Sequence, residues 1–284
     1  MKLIVKILSL FPKNFISFII GWIFRINYPP FFPKILCRIF TILYKVNIKE
    51  AELPIDSYSS LQDFFTRRLK PYVRPIKSEL CSPSDGILCI SDVAHQRMAI
   101  QVKGIEYSLD ELLFGKDEDD DADIDHYFTV YLAPHDYHRV HSPVSGTLKE
   151  ITYIPGDLWP VNGFGIQYIP GLLNRNERMV FKILLDGGGS VFVVMVGAFN
   201  VGRIQAVMIP SFVTNDFSRQ IGAKKIKKFF FDEPYRLEPG SELGIFLLGS
   251  TVVVVFDKVA QKAYNNIIRT TEPRSILMGE SLLG

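Results

Sequence analysis

With 284 residues, 48% of them hydrophobic and 22% charged, the chain carries enough apolar mass for a sizeable core, which excludes an intrinsically disordered protein. Three cysteines, Cys37, Cys81 and Cys89, are too few and too unevenly spaced for a disulfide framework, and they form no CxxC zinc pair, so a reducing, cytoplasmic side is expected. The net charge of +2 hides an asymmetry: residues 1–50 hold eight Lys or Arg against Glu50 alone, a local +7 that leaves −5 for the rest.

In that first segment the basic residues are interleaved with apolar bulk, as in Phe15–Phe24 between Lys13 and Arg25. Ten apolar-rich residues fall short of the roughly 20 that a membrane-spanning helix needs. Phe11, Pro12 and Lys13 interrupt the earlier run and no A-x-A site follows, so a secretory leader is not expected either. Two or three helices are predicted, broken at Pro12 and around Tyr28-Pro-Pro-Phe-Phe-Pro33, where prolines remove backbone donors. Aromatic bulk combined with cationic charge favours interfacial helices on anionic lipid over a helical pair packed on the main domain.

After Glu50 the texture changes, and residues 51–284 are assigned to a second, main domain. Apolar residues at 61, 64, 65 and 69 make a one-sided helical stripe that Pro71 stops. From about residue 80 onward the signals are mostly strands. Phe128–Ala133, Val191–Val196 and Thr251–Phe256 are rich in β-branched and aromatic residues and bounded by Gly, Pro or Ser, which predicts buried strands. Ser82-Pro-Ser-Asp-Gly86 and Ser142-Pro-Val-Ser-Gly146 echo each other sixty residues apart, each a turn feeding a strand, and Glu238–Phe246 supplies a third such corner. The expected fold class is α+β: N-terminal amphipathic helices followed by a mainly β, sandwich- or barrel-like domain.

Charge runs carry less. The acidic stretch Asp117–Asp121, with Asp123 and Asp125, lacks the spacing of a calcium loop and reads as solvated. Lys224–Lys228 followed by Phe229-Phe-Phe231 can touch lipid, but no nucleic-acid module surrounds it, and no nucleic-acid partner is expected.

Four of the five histidines, His126, His135, His138 and His141, fall within sixteen residues, on or beside a loop that follows a predicted strand. Imidazoles there are suited to moving protons near neutral pH. The three-residue spacing of His135, His138 and His141 also admits zinc, but Pro134 and Pro143 preclude a long helix and HExxH is absent, so no metal is assigned. Further along, Gly249-Ser250 stands at the mouth of a very apolar strand, where a glycine permits close approach to its own carbonyl.

Pro83-Ser-Asp-Gly86, Tyr137-His-Arg-Val-His141, Tyr153-Ile-Pro-Gly-Asp-Leu158 and Leu248-Gly-Ser-Thr251, in this order, resemble the bacterial phosphatidylserine decarboxylase family, and the resemblance implies that residues 51–284 are the catalytic domain. Phe64-Phe65, Arg74-Pro-Ile76, Lys103-Gly104 with Tyr107-Ser-Leu109, Asn174–Arg178, and Val196-Gly-Ala198 with Val201-Gly202 extend the likeness over roughly residues 45–260. The resemblance implies that the Ser250 hydroxyl attacks the Gly249 carbonyl, and that the ester eliminates and hydrolyses to a covalent pyruvoyl group, leaving residues 1–249 and 250–284 as a heterodimer of cleavage products. It further implies an autocleavage triad of Ser250, His141 as base and Asp85 as its orienting carboxylate, with His138 serving the decarboxylation step. Phosphatidylserine would then form a Schiff base with the pyruvoyl group and leave as phosphatidylethanolamine and CO2, at the cytoplasmic face of an anionic membrane, with further homo-oligomerisation left open. Two alternatives accompany this reading: pyruvoyl chemistry on a soluble amino acid, and a membrane-bound lipoyl-like binding module that would remain uncut.

Overall fold

The computed structural model describes residues 13–102, 105–115, 122–161, 163–199, 203–215, 225–247, 251–264 and 266–284. Helices α1 (Lys13–Phe24) and α2 (Phe31–Tyr44) flank the predicted proline break, with Pro33 in the first turn of α2, where its missing donor costs nothing. One stripe of α2, Pro33, Cys37 and Phe40, is buried. It packs on Phe64 and Phe65 of the short helix α3 (Leu61–Phe65), edge to face at 6.4 and 6.0 Å. Ile35, Ile39, Ile42 and Leu43 on α2, and Trp22 on α1, are left exposed.

Helix α3 is shorter than its apolar stripe predicts. Ser60 caps its start by accepting the Asp63 N–H at 3.1 Å, but beyond Thr66 the chain turns extended. There Leu69 pairs with Ala51, and Glu52 and Lys70 exchange backbone bonds with Arg68 and Glu50. Tertiary pairing outweighs helical periodicity at this point, and it ties the N-terminal segment to the rest of the chain.

Thirteen strands follow among the described residues: β1 (Gly86–Val93), β2 (Met98–Val102), β3 (Ile105–Ser108), β4 (Ile124–Tyr131), β5 (Arg139–His141), β6 (Gly146–Ile154), β7 (Arg178–Leu184), β8 (Ser190–Val196), β9 (Ile204–Ala206), β10 (Lys227–Leu237), β11 (Glu242–Phe246), β12 (Thr251–Asp257) and β13 (Arg274–Ile276). Eight form one antiparallel sheet in the order β10-β6-β7-β8-β12-β4-β1-β13. A smaller sheet runs β5-β11-β9, and β2 and β3 form a hairpin. The α+β expectation holds. Among the described residues the large sheet stays open, with β10 and β13 as its edges, and does not close into a barrel.

The run of valines in β12 follows from its place between β8 and β4, where both of its faces are covered. Val252, Val254 and Phe256 join the apolar cluster of Phe128, Val193 and Met195, whereas Val253 and Val255 join that of Tyr127, Phe192 and Val194. Each such buried side chain contributes roughly 1.5–3 kcal/mol. The lysines of β10 lie on a sheet edge, where charge discourages pairing with another chain; Lys224 and Asp117–Asp121 lie outside the described residues.

Candidate active site

The echoed Ser-Pro corners prove to be neighbours. In each, the serine hydroxyl donates to the carbonyl two residues on, Ser82 to Ser84 at 2.8 Å and Ser142 to Val144 at 2.7 Å. Backbone bonds from Cys81 to the Pro143 carbonyl and from His141 to the Pro83 carbonyl zip the two corners together. Each ends in a glycine whose side chain would strike the next strand: a Cβ at Gly86 would sit 2.3 Å from the Tyr131 carbonyl oxygen, and one at Gly146 2.5 Å from that of Leu184. Asp85 and His141, fifty-six positions apart, are thereby held side by side at one end of the large sheet.

At the same end, Ile87, Tyr131 and Thr251 form a row across β1, β4 and β12. Two strand spacings, roughly 10 Å, separate its outer members. Gly249 and Ser250 lie outside the described residues, but both flanks are placed: Leu247 donates its N–H to Arg203, and Thr251 pairs with Tyr131 and Val196. Thr251 is buried, and its hydroxyl has no hydrogen-bond partner among the described residues.

The histidine loop leaves the end of β4 and enters β5. The Asp136 carboxylate shapes it by accepting the Ala133 N–H at 2.7 Å, and the Arg67 guanidinium braces it by donating to the His135 and Asp136 carbonyls at 2.8 and 3.3 Å. β11 runs antiparallel beside β5, so Phe246 donates its N–H to the His138 carbonyl and Glu242 lies opposite His141. By register, the chain leading to Ser250 departs from the His138 end.

His138 is fully buried against the Phe65 ring, with centroids 3.9 Å apart. Its Nδ1 faces the Asp136 carbonyl at 2.9 Å, which fixes the proton on that nitrogen and leaves Nε2 as a lone-pair acceptor without a partner among the described residues. Burial first, and the nearby Arg67 guanidinium second, push this imidazole down to about 3. His141 shows the same polarity: Nδ1–H donates to the Gly240 carbonyl at 2.8 Å, and Nε2 accepts from the Tyr137 hydroxyl at 3.2 Å. Burial lowers its pKa, while the Gly240 bond and the negative charges of Glu242 and Asp85 oppose the shift.

Asp85 is adjacent to His141 without a hydrogen bond to it. Its carboxylate is gripped by Arg74, from Nε at 2.8 Å and Nη2 at 2.6 Å, and takes the Met278 N–H at 2.9 Å. Arg74 Nη2 also reaches Glu50 at 2.8 Å. A two-point, charge-assisted bond outcompetes a neutral imidazole for the carboxylate, so the Gly240 carbonyl, not Asp85, fixes the His141 tautomer in this structure. The remaining clustered histidines stand apart. His135 is half exposed, and His126 bonds Ser91 Oγ at 3.0 Å, pushed down to about 4 chiefly by burial. Among the described residues no group of His, Cys, Asp and Glu could hold a metal ion.

Residues 61–284 match the family model of phosphatidylserine decarboxylase. The chain belongs to that family. Its relatives include the phosphatidylserine decarboxylase proenzymes of Brevibacillus brevis, 34% identical over 99% of this chain and 97% of the relative, and of Pseudomonas aeruginosa, 38% identical over 96% and 93%. That of Methylobacillus flagellatus is 41% identical over 79% of each chain. Membership makes the chain a carboxy-lyase and removes the lipoyl-like binding module from consideration.

Other family motifs are structural. Asp157 pairs with Asn176, the Asn176 side chain brackets Trp159, and buried Arg178 donates to the carbonyls of Glu111, Leu112, Asn174 and Asn176. Lys103, Gly104, Val201 and Gly202 lie outside the described residues. Three side chains at the site carried no assigned role in the sequence: Arg67, Arg74 and Tyr137. Their signal was weak, because an arginine after a short helix reads as solvated until its burial is known.

Proposed function

We propose that this chain is a proenzyme that cuts itself between Gly249 and Ser250 and then decarboxylates phosphatidylserine to phosphatidylethanolamine at a membrane surface. The observation that carries the reading is the pair of buried, neutral histidines on and beside β5, next to the strand β11 that leads into the Leu248-Gly-Ser-Thr251 motif. For self-cleavage, His141 Nε2 holds the available lone pair, with Tyr137 as the hydroxyl that must yield or relay. The base takes the Ser250 hydroxyl proton as Oγ attacks the Gly249 carbonyl; the C–N bond breaks, a C–O bond forms, and the proton ends on the freed amine. Elimination across the Ser250 Cα–Cβ bond expels the Gly249 carboxylate, and hydrolysis of the resulting enamine releases ammonia. Asp85, fixed by Arg74, acts on the forming imidazolium through space.

The Thr251 hydroxyl and His138 Nε2, both without a partner among the described residues, fit a polar prosthetic group formed at this end of the sheet. A pyruvoyl carbonyl there supplies the sink for the electron pair left when CO2 departs. His138 Nε2, neutral and desolvated, accepts a hydrogen bond from the substrate ammonium and so places the headgroup, and its lowered pKa makes it a ready acid through which a proton drawn from solvent reaches the α-carbon in place of the carboxylate. The 250–284 product contains β12, at the centre of the sheet, and β13, so the two products remain one folded unit.

Among the described residues no helix is long and apolar enough to cross a membrane. Exposed Trp22, Ile39, Ile42 and Leu43, together with the excess of cations in the sequence of residues 1–50, suit an anionic lipid surface at the cytoplasmic face and favour a lipid over a soluble amino acid as substrate. The intact mass of the purified protein tests the reading. Two chains, 1–249 and 250–284 with a pyruvoyl end, together with CO2 from labelled phosphatidylserine, are expected; one uncut chain from both wild type and Ser250→Ala refutes it.

A further inference from the structure

Two buried arginines are treated very differently by this fold. Arg178 spends Nε, Nη1 and Nη2 on backbone carbonyls. Arg67, 4% exposed, spends only Nη2, on the carbonyls of His135 and Asp136. Its Nε and Nη1 are buried with no hydrogen-bond partner among the described residues, and its guanidinium lies over the Phe64 ring, 5.6 Å from the centroid. Tyr58, Asp85, Asp136 and Glu50 lie close enough to act on it electrostatically, yet among the described residues none of these four side chains forms an ion pair or hydrogen bond with it. A buried cation with unmet donors is costly, and an anion that arrives with the ligand resolves the cost. Another unmet group is its neighbour: His138 Nε2, also fully buried and without a partner among the described residues.

We propose that Arg67 recognises the phosphodiester of the substrate headgroup, its free Nε and Nη1 donors being completed by the non-bridging phosphate oxygens when the substrate enters beside His138. The inference rests on the functional reading above and names the group that this site reads. The substrate offers two anions, and the chemistry distinguishes them. The carboxylate loses its charge as CO2 leaves, so a guanidinium paired with it would stabilise the starting state more than the transition state. The phosphodiester keeps its charge throughout, and holding it adds binding without raising the barrier. Only three covalent bonds join its phosphorus to the α-carbon, which agrees with Arg67 and His138 being braced on the same loop.

The test uses the mature wild-type protein with 15N-labelled arginine, the Arg67 Nε–H signal being assigned by its contacts to the Phe64 ring. Glycerophosphoethanolamine, which has a phosphodiester and no carboxylate, is expected to shift that signal, and free serine is not. A shift with serine alone, or with neither probe, overturns the proposal. Kinetically, Arg67→Lys is expected to raise KM on short-chain phosphatidylserine roughly tenfold to a hundredfold, and by a larger factor than it lowers kcat, since the lysine can still donate to the loop carbonyls. A fall in kcat at unchanged KM overturns the proposal too. The nitrogen signal reads anion binding whether or not CO2 is released, so failure of the wild type to decarboxylate would sink the functional reading separately.

Discussion

Replacing Arg74 with Met removes both donors that grip the Asp85 carboxylate while preserving most of the side-chain volume. The Arg74 and Asp85 side chains are 8% and 5% exposed, so water cannot readily take over. Breaking a pair of this kind by deleting one partner costs about 3–5 kcal/mol, because a buried charge is left uncompensated. The bond to Glu50, whose side chain is 31% exposed, adds at most about 1 kcal/mol. In the uncut Ser250→Ala background, urea unfolding should therefore show a loss of about 3–5 kcal/mol. Adding Asp85→Asn should restore more than half of it, since the amide carries no charge to strand. With Ser250 intact, Arg74→Met should also slow self-cleavage, read by mass, as Asp85 is no longer held beside His141. A loss under about 1 kcal/mol, or no recovery in the double variant, would refute the claim that Arg74 and Asp85 act as a locked pair.

His141→Ala should remain a full-length chain with no CO2 release, whereas His138→Ala should still cut itself yet turn over poorly; mass spectrometry and labelled substrate read the two steps, and the reverse pattern exchanges the roles. Ile42→Glu with Leu43→Glu, at positions 79% and 68% exposed, should release the protein from anionic vesicles without altering its unfolding curve, and unchanged co-sedimentation would remove the helix α2 surface from the membrane reading. His126 is held near 4 against about 6.5 in an unfolded chain, so the folded state binds fewer protons between those values. Its contribution is complete above about pH 6.5 and declines as pH falls toward 4, by up to about 1.4 kcal/mol per unit. Urea unfolding of His126→Gln between pH 4.5 and 6.5 should show a shallower slope than its parent, and equal slopes would count against the assignment.

Much of the fold was legible because its signals are local. A Val-rich run between turn residues has to be a strand, and the prolines near residue 30 have to break the helical run, whatever surrounds them. The Ser-Pro-x-x-Gly echo was visible as well, and with it the residues at stake, Asp85 and His141. What the echo was for could not be read, because the bonds between its two copies join residues sixty positions apart and depend on backbone geometry. Helix α3 ended early for a similar reason: its apolar stripe extends to Leu69, but the pairing of Leu69 with Ala51 is a tertiary contact that periodicity does not encode. The partners of each titratable group were decided by tertiary structure alone. Nothing along the chain says that Asp85 would meet Arg74 before His141, that the Gly240 carbonyl would set a tautomer, or that Arg67 would be buried with donors to spare. Residue type and order determine which chemistry is available, whereas burial and the direction of each donor determine which atom performs it, and those exist only once the strands have paired.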